Sequence, residues 1–346
     1  MSVILSCLVI SILSIGQPPA TSESDRVPLV FASNERSGDV TVIDASNNSV
    51  VATIPVGKRP RGIRIDPSGT RAYVALSGTP INPPGQRDDA ANLPPADKTA
   101  DCIGVIDVAQ RKLIGRLPSG SDPEQFSLSR DGARMYISNE DANSVTILDV
   151  SSGKPIKSIP VGTEPEGVTT SPDGKLVYVT SESTNDVHVI DTATDTIVAN
   201  FKTAQRPRAI AFTPDSNKAY VTCETGGVVC VVDVAGSKIV KEIRHEGTNV
   251  RPMGVVVSPD GSRAFVTTGR GKSILVIDTA RDEVVQVIED VAERPWGIAI
   301  TPDGLSLFVA GGPSDEVVHV DVVSGKVVAR IKAGKSPWGI VIASPR

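Results

Sequence analysis

One pattern governs what this chain can fold into: a unit of about 42 residues that recurs along most of its length. The stretches EPEGVTTSPDGKLVYVTS from Glu164, RPRAIAFTPDSNKAYVTC from Arg206 and RPWGIAITPDGLSLFVAG from Arg294 align without a gap. An aromatic column runs through Phe31, Tyr73, Tyr136, Tyr178, Tyr220, Phe265 and Phe308. Its steps are 42, 63, 42, 42, 45 and 43 residues, and the step of 63 is one period plus an insertion of 21. An acidic column runs in parallel through Asp44, Asp107, Asp149, Asp191, Asp233, Asp278 and Asp321.

Each unit reads as four short strands. The first alternates apolar residues. A Pro-Asp-Gly turn follows, as at Pro172-Asp173-Gly174, where Pro presets φ and Gly accepts a positive one. The second strand carries the aromatic, the third reads like Val187-His188-Val189-Ile190-Asp191, and the fourth like Thr196-Ile197-Val198-Ala199. Four antiparallel strands per unit predict β-propeller blades, which cannot bury both faces alone and must stack into a ring. The first unit, from about Pro28, has strands two to four; the segment from Lys335 supplies a lone strand one. Together they predict one shared blade and, with six internal units, an all-β, seven-bladed propeller over residues 28–346 as a single domain. An inserted loop is expected at about 77–100, on the face where the inner strands begin.

The composition agrees. Gly and Pro total 56 of 346 residues, suited to turns, and the apolar residues are mostly β-branched. The net charge of −5 disfavours a general nucleic-acid binder. Residues Val3 to Ile15 are uncharged and apolar, too short for the ~20 residues of a membrane span but suited to a signal peptide. Residues 1–20 are therefore expected to be an export signal and the location periplasmic or secreted. Cys102, Cys223 and Cys230 remain after it, too few for a disulfide framework. Cys223 and Cys230 are expected diagonally across a hairpin, some ~7–8 Å apart between backbones, which is long for a disulfide.

These residues resemble the YVTN-type β-propeller family: AYVTC, VYVTS, PDGK and VIDTAT carry its signature. SDPEQFSLSRDG, TEPEGV, QRPRAIAF and SPWGIVI look like the branch associated with pyrroloquinoline-quinone-dependent alcohol catabolism. That resemblance implies a seven-bladed propeller and an accessory role beside a periplasmic quinoprotein system.

Chemistry is sparse. The seven Asp residues each start a turn and are read as backbone caps rather than metal ligands. No His falls on an expected inner strand, and no Cys-x-x-Cys-His, Gly-x-Ser-x-Gly or His-Glu-x-x-His occurs, so no cofactor is expected. The informative column follows an internal Pro at the start of each inner strand: Arg61, Glu124, Glu166, Arg208, Met253, Trp296 and Trp338. The residues before those prolines are Arg59, Asp122, Glu164, Arg206, Arg251, Arg294 and Ser336. This junction should line one mouth of the central channel, with the two tryptophans on adjacent blades and Arg61 beside Trp338. The pair either plugs the channel or forms a binding rim with the arginines and Glu124 and Glu166, suited to an anionic or planar ligand. The expected function is a non-catalytic binding module, a monomer taking a protein partner or small ligand. The alternatives are a lactonase-like hydrolase and a single-stranded DNA platform built on the arginines and tryptophans.

Overall fold

The computed structural model describes residues 27–81 and 93–344. The expected export segment 1–20 and residues 82–92 of the insertion lie outside the described residues. Among the described residues, no helix is long and apolar enough to cross a membrane.

Strands β1–β28 form seven four-stranded antiparallel sheets. Blade one joins β28 (Pro337–Ala343) to β1 (Leu29–Asn34), β2 (Asp39–Asp44) and β3 (Ser49–Pro55). Its register sets Leu29 opposite Ala343 and Phe31 opposite Val341. Blades two to seven span 60–117, 123–160, 165–202, 207–244, 255–288 and 295–332. Their inner strands are β4 (Pro60–Ile65), β8 (Pro123–Leu128), β12 (Pro165–Thr170), β16 (Pro207–Phe212), β20 (Val255–Val257) and β24 (Pro295–Ile300). Each inner strand packs against the next, and β28 touches both β24 and β4, which closes the ring.

The second strands supply the core. All seven residues of the aromatic column are buried between blades. The outer strands are mostly exposed, which is why their apolar residues are fewer and mixed with Lys and Glu. The Asp column caps turns as its position predicts: Asp44 accepts the Ser46 N–H at 2.8 Å, Asp149 the Ser152 N–H at 2.7 Å and Asp321 the Ser324 N–H at 2.7 Å.

Hydroxyls on the second strands tie one blade to the next. Thr180 Oγ1 accepts the N–H of Gly167 in its own blade at 2.8 Å and donates to the Arg208 carbonyl of the following blade at 3.0 Å. Ser33, Ser138, Thr222 and Thr267 repeat this bridge, donating to the carbonyls of Arg61, Glu166, Met253 and Trp296. The Thr of the repeated Tyr-Val-Thr is therefore an interblade staple. Inner-strand glycines permit the approach: a Cβ added at Gly167 would lie 2.0 Å from the Arg208 carbonyl oxygen. Alanine replaces the hydroxyl at Ala75 and Ala310, so the seams between blades two and three and between seven and one lack the staple. Asn139 at the end of β9 (Arg134–Asn139) donates to Thr146 Oγ1 at 2.8 Å and steadies the hairpin that follows.

Cys223 and Cys230 are diagonal neighbours, with Cys223 opposite Val228 and Cys230 opposite Val221. Both are buried free thiols whose sulfurs stand 3.6 Å apart.

Candidate functional site at the channel mouth

Every inner strand enters the ring through its proline, so the residue after it faces the mouth. The residue before it is held in the left-handed region in five blades: Arg59, Asp122, Glu164, Arg206 and Ser336 have φ between 44° and 61°. Non-glycine residues occupy that region at a cost.

The mouth is an arc of interlocked charges. Arg61 lies between blades two and three, 4% exposed at its side chain, and pairs with Glu124, with Asp122 at 3.2 Å and with Glu140 at 3.6 Å. Arg59 pairs with Glu35 at 3.0 Å and Asp122 at 3.8 Å. On blades four and five, Arg208 pairs with Glu166, with Glu182 at 2.6 Å and with Glu224 at 2.7 Å. Arg206 reaches Glu182 and lies 3.5 Å from Glu224. Arg294 of blade seven lies 3.7 Å from Glu224 and stands over the Trp296 ring at 5.0 Å. Trp296 meets Trp338 edge-on, with ring centroids 6.1 Å apart. All the predicted site residues thus come together at one mouth. One expected neighbour differs: Arg61 turns to the carboxylates of blade three rather than to Trp338, and the cation on a tryptophan is Arg294. The unstapled seam between blades two and three is where Arg61 makes its ion pairs, and the Trp pair spans the other unstapled seam.

Four acids here escaped the sequence reading. Glu35, Glu140, Glu182 and Glu224 each follow the last residue of a second strand, and so form a column of their own. The signal lay in the recurrence of Glu at one register in four blades.

The protonation states divide. Burial, then the neighbouring Glu166, push Glu182 up to about 8 against the pull of Arg208. Burial likewise pushes Glu140 up to about 7, against Arg61 and with Asp122. Glu166 is held low by Arg208 and by a hydrogen bond from Glu182, which outweigh its burial. Asp122 and Glu224 are held low by Arg61 and Arg208 respectively, again against burial. Glu166 and Glu182 are hydrogen-bonded to each other beside the Arg206 and Arg208 guanidiniums, one carboxyl held low and the other raised, an acid and its partner base. Such a pair can bind a polar ligand or pass a proton to it.

Two hollows adjoin the mouth. The channel beneath it holds an open hollow of about 80 Å³ between the inner strands, with Trp338 in its wall. A larger one of about 510 Å³ lies between Glu35–Gly38 and the described ends of the insertion. Those ends dock at the mouth: Ser77 donates to Asp122, and Asp101 accepts the backbone N–H groups of Gly78 and Asp122. Among the described residues, no group of three or more His, Cys, Asp or Glu is arranged to hold a metal.

Comparison with known proteins agrees with this architecture. The family described as Lactonase, 7-bladed beta-propeller matches residues 167–338, which include Glu182, Arg206, Arg208, Glu224, Arg294 and both tryptophans. A solved structure of Kuenenia stuttgartiensis hydrazine synthase is similar at 23% identity, with a TM-score of 0.67, over 81% of this chain and 88% of that one. At that identity it speaks for the fold alone. No curated protein matches the chain.

Proposed function

We propose that this propeller is an exported binding module whose channel mouth takes a small polar ring ligand, sugar-like in its mix of donors, acceptors and apolar faces. The observation that carries this reading is the Trp296–Trp338 pair beside Arg294, with the Trp296 Nε1–H buried and unpartnered among the described residues. An unpaired buried donor is costly, and a ligand acceptor would satisfy it. Each of the five arginines Arg59, Arg61, Arg206, Arg208 and Arg294 already has a carboxylate partner within the mouth. That pairing disfavours a polyanion such as single-stranded DNA, whose binding needs cations free for phosphates. Export is supported by the uncharged stretch 3–15, and a place beside a quinoprotein by the YVTN-type resemblance.

The test is fluorescence, because Trp296 and Trp338 are the chain's two tryptophans. Aldoses, aldonic acids and aldonolactones should shift or quench the emission saturably. Replacing both tryptophans by Leu should abolish binding measured by calorimetry at little cost in stability. Intact binding would remove the mouth as the ligand surface.

A second reading, lactone hydrolysis, is favoured by the Glu166–Glu182 pair and by the family match. On a lactone, Glu166 would take a proton from water as its oxygen attacks the carbonyl carbon. Arg208 would stabilise the oxyanion, and Glu182 would protonate the ring oxygen as the C–O bond breaks, giving a hydroxy acid. Acid release from an aldonolactone, followed by titration, should then exceed the spontaneous rate and fall ~10²-fold or more in Glu182→Gln. A rate equal to the spontaneous one leaves the binding reading alone.

A further inference from the structure

Two inner-strand residues break the repeat on adjacent blades. Gln125 stands where the other six blades have Gly62, Gly167, Ala209, Gly254, Gly297 and Gly339. Arg64 stands where they have Ser127, Thr169, Ala211, Val256, Ala299 and Val341. Both line the channel hollow below the mouth. Arg64 donates to the Ile63 carbonyl at 2.9 Å and to Gln125 Oε1 at 3.0 Å. Accepting there leaves the Gln125 carboxamide N–H₂ free to donate to a ligand. No carboxylate belongs to the lining of this hollow, and Arg64 forms no ion pair among the described residues, unlike the arginines of the mouth. Burial lowers the Arg64 pKa to about 10, so the group still carries its charge at neutral pH. A half-buried guanidinium without a counter-charge is incompletely solvated, and an anion offsets that cost.

We propose that the channel is a binding site for a small monoanion, a carboxylate or a halide, held by the Arg64 guanidinium and the Gln125 carboxamide. The hollow of about 80 Å³ has room for an ion of that size. The site does not depend on the reading of the mouth.

Trp338 shares the lining of this hollow, so iodide bound at Arg64 should quench it. In a low-salt zwitterionic buffer, iodide quenching of the wild-type protein should saturate, and acetate or chloride should reverse it. Reversal by acetate alone assigns a carboxylate site; reversal by both assigns an unselective monoanion site. Arg64→Ala installs the residue that two other blades carry at this position. It should weaken iodide about tenfold, the loss expected for one charge-assisted hydrogen bond, while neutral acrylamide quenches both proteins alike. Linear quenching of equal slope in both proteins would overturn the site. Should Arg64→Ala not fold, wild-type crystals soaked in bromide decide: an anomalous peak beside Arg64 supports the site, and its absence overturns it.

Discussion

Thr180 holds Arg208 from the neighbouring blade by its backbone: the threonine hydroxyl donates to the arginine carbonyl at 3.0 Å while the guanidinium reaches back to Glu166 and Glu182. Structural staple and candidate site therefore meet in one residue. Thr180→Val keeps the shape and removes the hydroxyl, leaving a buried N–H and carbonyl without this partner. A loss of about 1–3 kcal/mol is expected by denaturant unfolding. An unchanged midpoint would show that the hydroxyl does not join the blades.

Stability should depend on pH through the mouth. Glu182 and Glu140, raised to about 8 and about 7 from 4.5, keep protons in the folded state that the unfolded chain releases. Stability should therefore fall as pH rises from about 5 to about 8. Asp122, Glu166 and Glu224 are held low, so their contribution is lost as pH falls below the ordinary carboxylate range. Melting temperature followed by circular dichroism should peak near pH ~5. Glu182→Gln should flatten the alkaline side; an identical slope in that variant would remove Glu182 from the account.

Deleting residues 335–346 removes the inner strand of blade one and bares the edge of β1. An unpaired edge of this kind recruits other chains. The truncated protein should lose its cooperative melt and aggregate during size-exclusion chromatography. A monomer melting at the wild-type temperature would mean that β28 does not close the ring.

Cys223 and Cys230 should be oxidisable to a disulfide. Their sulfurs must close from 3.6 Å to bonding distance, a small shift for side chains already in contact. Diamide, itself reduced to its hydrazine, should take two hydrogens from the pair, visible as a linked peptide after digestion. Both thiols are buried, so the rate should rise with mild denaturant. Recovery of both cysteines unlinked after oxidation in denaturant, followed by refolding, would contradict the geometry.

The ring was legible because each blade must bury the same things. Phe31 through Phe308 recur since every second strand needs a large side chain between sheets, and the prolines mark every entry to an inner strand. The mouth was legible in position, since Arg61, Glu166 and Trp338 follow those prolines, but not in partnership. Whether Arg61 faces Trp338 or Glu124 depends on which neighbour offers a counter-charge, and Asp122, Glu124 and Glu140 all lie on the blade-three side. Glu182 and Glu224 were overlooked because an acid after a strand reads as an ordinary turn residue. Their register across blades distinguishes them from one.

The shared blade also sets an order in time. Ser33 bonds Gly339 across 306 residues, so β1 to β3 leave the ribosome long before their fourth partner exists. Six blades can assemble while the first sheet waits with an open side. Closure of the ring therefore waits on the last strand made, and any slow step in making or delivering β28 lengthens the period in which that side is open to other chains.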